Sequence, residues 1–178
     1  VSEPEETLWE GRYLAAKRRG RWEYVSRTRN IQAAVILAID QGAVILVEQY
    51  RVPLGRLCLE LPAGLIGDES EGEAVEAAAI RELEEETGYR AARMTELGLF
   101  YSSPGMASEG FTLLRAEGLS RTGPGGGVEG EDIKVHRVPL AEVPAFVAAK
   151  RAGGCAIDVR MLMLLAADLL QPSSRTSC

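Results

Sequence analysis

Cysteine and histidine are scarce in this chain of 178 residues. Cys58, Cys155 and Cys178 are odd in number, far apart and without metal-ligand spacing, which argues against a disulfide framework and a zinc site. The one histidine, His136, alternates with apolar neighbours in IKVHRV, so a structural role is expected for it rather than a catalytic one. No apolar run approaches the roughly 20 residues of a membrane-spanning helix. The opening VSEPEETLWEG lacks the basic and apolar regions of a signal peptide, and a cytoplasmic protein is expected. Positive charge is in deficit. A formal net charge of -6 argues against a nucleic-acid surface, which needs clustered Lys and Arg. The short basic run Lys17-Arg18-Arg19-Gly20-Arg21 reads as a solvated turn or a local patch for a phosphate. No Gly-Lys-Ser/Thr follows the glycine-rich stretch RTGPGGGVEGED (121–132), so it is no phosphate-cradling P-loop, and its composition is that of a mobile loop.

What is present suits one globular domain. Hydrophobic residues make up 46% and charged residues 26%, enough apolar surface at this length to bury a real core. Residues 5–14 and 21–29 alternate apolar and polar positions and predict two strands joined by the basic turn. AAVILAI (33–39) and AVILVEQY (43–50) flank Asp40-Gln41-Gly42, a hairpin signal between core strands. LCLELPAGLIG (57–67) predicts a strand running into a turn, and 92–103, 110–119 and 133–138 predict three more strands. Helices are predicted over 140–151 and 157–170, the second stopped before Pro172, with Met161 and Met163 as core filler. The last residues, 172–178, are expected to form a disordered tail.

The most informative stretch is GDESEGEAVEAAAIRELEEETGY (67–89). Its second half is rich in strong helix formers, and Gly88 supplies a natural C-terminal stop. Glu82 and Glu86 are four apart on one helix face, with Glu85 on the adjoining row. Each like-charge pair costs roughly 0.2 to 0.5 kcal/mol, and the helix macrodipole disfavours anions at this end. A solvated acidic face is one reading. A divalent cation that offsets the repulsion is the other, with Arg81 pairing with Glu85 at i,i+4 and leaving Glu82 and Glu86 to face the metal.

These residues resemble the Nudix box, G-x5-E-x7-R-E-U-x-E-E-x-G-U with U aliphatic: Gly67, Glu73, Arg81, Glu82, Leu83, Glu85, Glu86 and Gly88 fall in place, while Tyr89 departs from the aliphatic last position. Glu60 with Pro62-Ala63-Gly64, the Arg51 that ends EQYR, and Pro104, 15 positions beyond Tyr89, resemble the ADP-ribose pyrophosphatase branch. Gly64 lies three positions upstream of Gly67, whereas in that branch the two glycines coincide, so the loop between the corner and the helix carries three extra residues.

The resemblance implies an α+β fold, an α/β/α sandwich with a mixed sheet, a catalytic helix, an N-terminal β-hairpin and two C-terminal helices. It implies a region 1–30 exchanged in a homodimer and a hydrolase domain over 31–171. As metal ligands it implies Glu82, Glu86, Glu85 and the Ala63 carbonyl. Their oxygen chemistry suits Mg²⁺, with Mn²⁺ as substitute. Among catalytic groups it implies Glu85, Arg81 and a loop glutamate as general base, Glu129 first and Glu131 second. Trp22, Arg27, Arg51, Tyr13 and Met106 are implied as substrate-binding, Trp22 by stacking on the base and Arg51 on the phosphates. Glu109 is equally compatible with substrate contact and with solvent. The implied reaction is hydrolysis of a nucleoside diphosphate sugar, ADP-ribose to AMP and ribose 5-phosphate. GDP-mannose hydrolysis is the alternative, and a non-catalytic nucleotide sensor a remoter one.

Overall fold

The computed structural model describes residues 3–28, 32–66, 74–128 and 130–170. The N-terminal region holds three strands, β1 (Glu5–Glu10), β2 (Leu14–Arg19) and β3 (Trp22–Arg27), in one antiparallel sheet. The expected basic turn is therefore wrong. Lys17, Arg18 and Arg19 lie within β2, and the turn is formed by Gly20 and Arg21. The physical reason is cross-strand charge pairing: Lys17 and Arg18 reach Glu5 and Glu6 at 2.7 Å, and Arg19 reaches Glu5 at 3.0 Å. Those partners also leave the run unsuited to a phosphate.

The main sheet is mixed. Strands β4 (Gln32–Asp40) and β5 (Ala43–Arg51) are joined at Gln41 and Gly42, whose positive φ angles of 47° and 77° fit the right-handed strand twist. They pair only next to this turn, and then diverge. Beyond it, β5 runs antiparallel to β6 (Arg56–Glu60) and to β12 (Lys134–Pro139). β4 lies antiparallel to β7 (Ala63–Ile66) and parallel to β10 (Gly110–Glu117), which pairs with β9 (Arg93–Tyr101). The expected turn after Pro62 is thus a short strand. A two-residue ladder joins β8 (Tyr89–Arg90) to β11 (Ser120–Arg121), and β13 (Ala156–Ile157) runs parallel to β6.

Both faces of the main sheet are covered, which is why β4 and β5 read as near-continuous apolar runs. Ala34, Ile36 and Ala38 of β4 pack with Ala78, Ala79 and Leu83 of helix α1 (Val75–Thr87). Val44 and Leu46 of β5 pack on the other face with Val143 and Val147 of α2 (Val143–Ala152) and Leu165 of α3 (Leu162–Leu169). The fold is α+β, helices on either side of a mixed sheet. Met161 is fully buried as expected, but Met163 is 38% exposed because α3 turns that position outward.

His136 is structural. Its Nε2 stands 2.6 Å from Glu48, its ring meets Phe146 edge-on, and Lys150 also binds Glu48. Burial works against ionisation of Glu48, yet Lys150 and His136 together hold its carboxyl below the usual range. This cluster ties β5, β12 and α2 together. Glu48→Ala is expected to destabilise the fold by about 3 kcal/mol, since it strands Lys150 in a half-buried site; urea unfolding measures it.

Candidate active site

Helix α1 ends where its sequence says it should: Gly88 takes φ 71° and its N–H reaches the Glu84 carbonyl at 2.8 Å. The carbonyls that remain are met by the glycine-rich segment. The N–H groups of Gly126 and Gly127 donate to the Glu86 and Glu85 carbonyls at 2.9 and 3.0 Å, and Thr122 and Gly123 donate to Gly88 at 2.8 and 3.2 Å. The expected mobile loop is therefore docked, and its glycines are needed for close approach. A Cβ on Gly125 would stand 2.4 Å from the Thr87 carbonyl carbon, and one on Gly127 2.4 Å from Glu131 Oε2.

The docked segment brings Glu131 to the acidic helix end, where its Oε2 accepts the Val128 N–H at 3.0 Å. Glu86 is buried, with Oε2 accepting the Ala63 N–H at 3.0 Å. Burial pushes its carboxyl up to about 8; the Ala63 N–H opposes this, Glu82 and Glu131 add to it, and Arg51 opposes it. Glu82 packs under Gly64, where a Cβ would meet its carboxyl carbon at 2.2 Å. Arg81 pairs with Glu85 at 3.2 Å as expected, and with Glu82 as well at 3.0 Å, so Glu82 is held by Arg81 rather than released by it.

A cavity of about 640 Å³ opens beside these groups. Four arginines line it, Arg27, Arg51, Arg81 and Arg160, each set against carboxylates that share the wall. Arg27 pairs with Glu109, which brings both into the site. Arg51 donates Nε and Nη2 to Glu60 Oε1 and Oε2, both at 2.6 Å, a bidentate fork. Arg160 is locked the same way on Asp158, with Nε to Oδ1 at 2.6 Å and Nη2 to Oδ2 at 2.8 Å, and its Nη2 lies 3.4 Å from Glu60 Oε2. Cys58 lines the cavity too, but burial, then Glu60, push its thiol up to about 12, which disfavours the thiolate at neutral pH.

The cavity thus gathers Glu82, Glu85, Glu86, Glu131, Ala63, Arg81, Arg27 and Arg51 from the residues singled out in the sequence. It does not gather Trp22, Tyr13 or Met106, which are 59%, 60% and 64% exposed on or beside the N-terminal sheet. Glu129, Gly67, Glu73 and the tail 172–178 lie outside the described residues. Sequence reasoning gave no role to Arg160 or Asp158, and Glu60 entered only as part of a motif. The sole local signal was the Asp-x-Arg spacing, by which Asp158 Oδ1 accepts the Arg160 N–H at 2.7 Å.

A model of the NUDIX domain family matches residues 28–154. The chain belongs to the NUDIX family. An ADP-ribose pyrophosphatase of Bacillus subtilis is 47% identical over 87 residues, covering 49% of this chain and 45% of that protein. A GDP-mannose pyrophosphatase of Pectobacterium atrosepticum is 37% identical over 115 residues, 60% of this chain and 58% of that protein. This Nudix chain therefore aligns with only about half the length of either relative. The crystal structure of an ADP compounds hydrolase superposes with a TM-score of 0.68 at 26% identity, covering 93% of this chain and 91% of that one. Among the described residues no helix is long and apolar enough to cross a membrane.

Two outcomes are expected. Gly125→Ala adds a backbone clash to a positive φ of 69°, whereas Gly154→Ala, at φ 85° with open space around it, meets only the conformational cost of about 1 kcal/mol. Thermal melts of the two variants should therefore rank Gly125→Ala clearly lower. The second outcome concerns pH. Glu86 binds its proton more tightly folded than unfolded, so without divalent cation its contribution to stability falls as pH rises from 4.5 to about 8. The melting temperature should drop across that window, and Glu86→Gln should flatten the drop.

Proposed function

We propose that the chain is a divalent-metal-dependent pyrophosphatase of nucleoside diphosphate sugars, with ADP-ribose as substrate and AMP and ribose 5-phosphate as products. The observation that carries this is the single cavity in which Glu82, Glu86 and Glu131 meet Arg51. Nudix hydrolases generally use divalent metals, and the donor chemistry here fits one. A carboxyl raised by burial, and further by two neighbouring carboxylates, is relieved by a hard cation, and the donors are oxygens. As the side chains stand, no three acidic, His or Cys groups among the described residues form a ready cage. Glu86 and Glu82, with Glu85 and the Ala63 carbonyl, would hold Mg²⁺, or Mn²⁺ in its place. Such an ion neutralises charge on the phosphate oxygens and lowers the pKa of water.

The chain's own residues supply the rest. Arg51, its fork edge fixed by Glu60, offers its remaining N–H groups to the diphosphate. Glu131 takes the proton of the attacking water as its oxygen joins one phosphorus and the bond from that phosphorus to the bridging oxygen breaks; Glu129 is the other candidate for that role. Arg81 keeps Glu82 and Glu85 oriented. Arg27 reaches the nucleotide from β3. Trp22, Tyr13 and Met106 serve as substrate contacts across a homodimer in which the N-terminal region is exchanged. The exposed Leu8, Trp9, Tyr13, Leu14 and Trp22 of that region support this arrangement. The GDP-mannose reading is favoured by the Pectobacterium relative.

Turnover of ADP-ribose, GDP-mannose, NADH and diadenosine polyphosphates, with Mg²⁺, with Mn²⁺ and with chelator, tests the reading. ADP-ribose is expected to be hydrolysed fastest, and only with metal. Glu131→Gln is expected to lower kcat by about 10²- to 10⁴-fold with an unchanged melting profile. Turnover in chelator, or preference for NADH or a diadenosine polyphosphate over both nucleotide sugars, would overturn it.

A further inference from the structure

Arg51 is one of two guanidiniums on the same stretch of cavity wall. Glu60, buried at the end of β6, accepts Nη2 of Arg51 at 2.6 Å and Nη2 of Arg160 at 3.4 Å on one oxygen, Oε2. The two cations are therefore adjacent, and each is fixed along its Nε and Nη2 edge by a carboxylate. Among the described residues neither Nη1 donates a hydrogen bond, although both side chains line the cavity. The Arg160 guanidinium also stands over the ring of Phe111, 5.7 Å from its centroid, which further restrains it. Its anchor is rigid, because Asp158 accepts both its backbone N–H and its side chain at the start of the turn Val159–Met161.

A structural ion pair would satisfy Arg160 with Asp158 alone. Here the pair stands on a cavity wall beside a second arginine, both oriented by carboxylates that neutralise them until an anion arrives. The geometry points to Arg160 as a second substrate-contacting arginine, its Nη1 edge taking the phosphate next to the one that Arg51 holds. This assignment rests on the pyrophosphatase reading above. Two adjacent, pre-oriented guanidiniums match the two neighbouring phosphates of a diphosphate, and a monophosphate fills only one of them. Arg160 thereby discriminates substrate from its nucleoside monophosphate product, favouring product release. The contact is present in ground state and transition state alike, so its loss should appear mainly in KM.

Calorimetric titration of the Mg²⁺-loaded protein with α,β-methylene ADP-ribose, a non-cleavable diphosphate, and with AMP decides this, alongside steady-state kinetics on ADP-ribose. Arg160→Gln is expected to weaken the analogue by about 10- to 100-fold, leave AMP within about twofold, and raise KM more than it lowers kcat. If Arg160→Gln fails to fold because Asp158 is left uncompensated, the double variant Asp158→Asn with Arg160→Met removes both charges, keeps the packing over Phe111, and should give the same split. Analogue affinity equal to wild type in a folded variant, or an equal loss for AMP, overturns the assignment while leaving the pyrophosphatase reading intact. A wild-type protein that neither binds the analogue nor hydrolyses ADP-ribose removes that reading, and the role of Arg160 with it.

Discussion

The acidic end of α1 depends on the peptide N–H groups that dock against it. Helix ends leave carbonyls unsatisfied, and this end adds Glu82, Glu84, Glu85 and Glu86 to an already negative macrodipole. Gly126 and Gly127 answer the carbonyls of Glu86 and Glu85, and the same segment positions Glu131. One set of backbone hydrogen bonds thus both satisfies the helix terminus and brings a carboxylate from a distant part of the chain to the site. The segment's glycines are needed because its backbone lies where side chains would collide with Thr87 and Glu131.

The cavity is a balance of opposite charges rather than a field of one sign. Arg51 and Arg160 share Glu60, Arg27 faces Glu109, and Arg81 holds Glu82 and Glu85. Such pairing keeps each cation oriented at little cost from mutual repulsion, and a multiply charged anion can engage it without reorganising the wall. Glu86 is the exception: it is buried and two of its charged neighbours are carboxylates, so its charge is the one most in need of a cation.

Most of this architecture was legible because its signals are local. Helix formers ending at Gly88 marked α1, β-branched runs around Gln41-Gly42 marked β4 and β5, and the spacing of Glu82, Glu85, Glu86 and Arg81 marked the site. What escaped depends on partners remote in sequence. The basic run became a strand because Glu5 and Glu6 lie opposite it, and the glycine-rich stretch became a docked cap because the open carbonyls of α1 lie beneath it. Arg160 escaped for the same reason. Asp158 and Arg160 fall inside the helix predicted over 157–170, whereas the helix starts only at Leu162, and only the fold brings Glu60 and Arg51 next to Arg160.

The parallel pairing of β4 with β10 bears on how the site comes into being. Ala33 to Ala38 align with Phe111 to Ala116, and the intervening chain supplies β5, β6, β7, α1, β8 and β9. Closing so long a loop carries an entropic cost that slows folding. The glycine-rich segment lies downstream of β10 and returns to the end of α1. The site is therefore built from segments far apart in the chain, and it is complete only where the β4–β10 pairing and the docked glycine-rich segment are both in place.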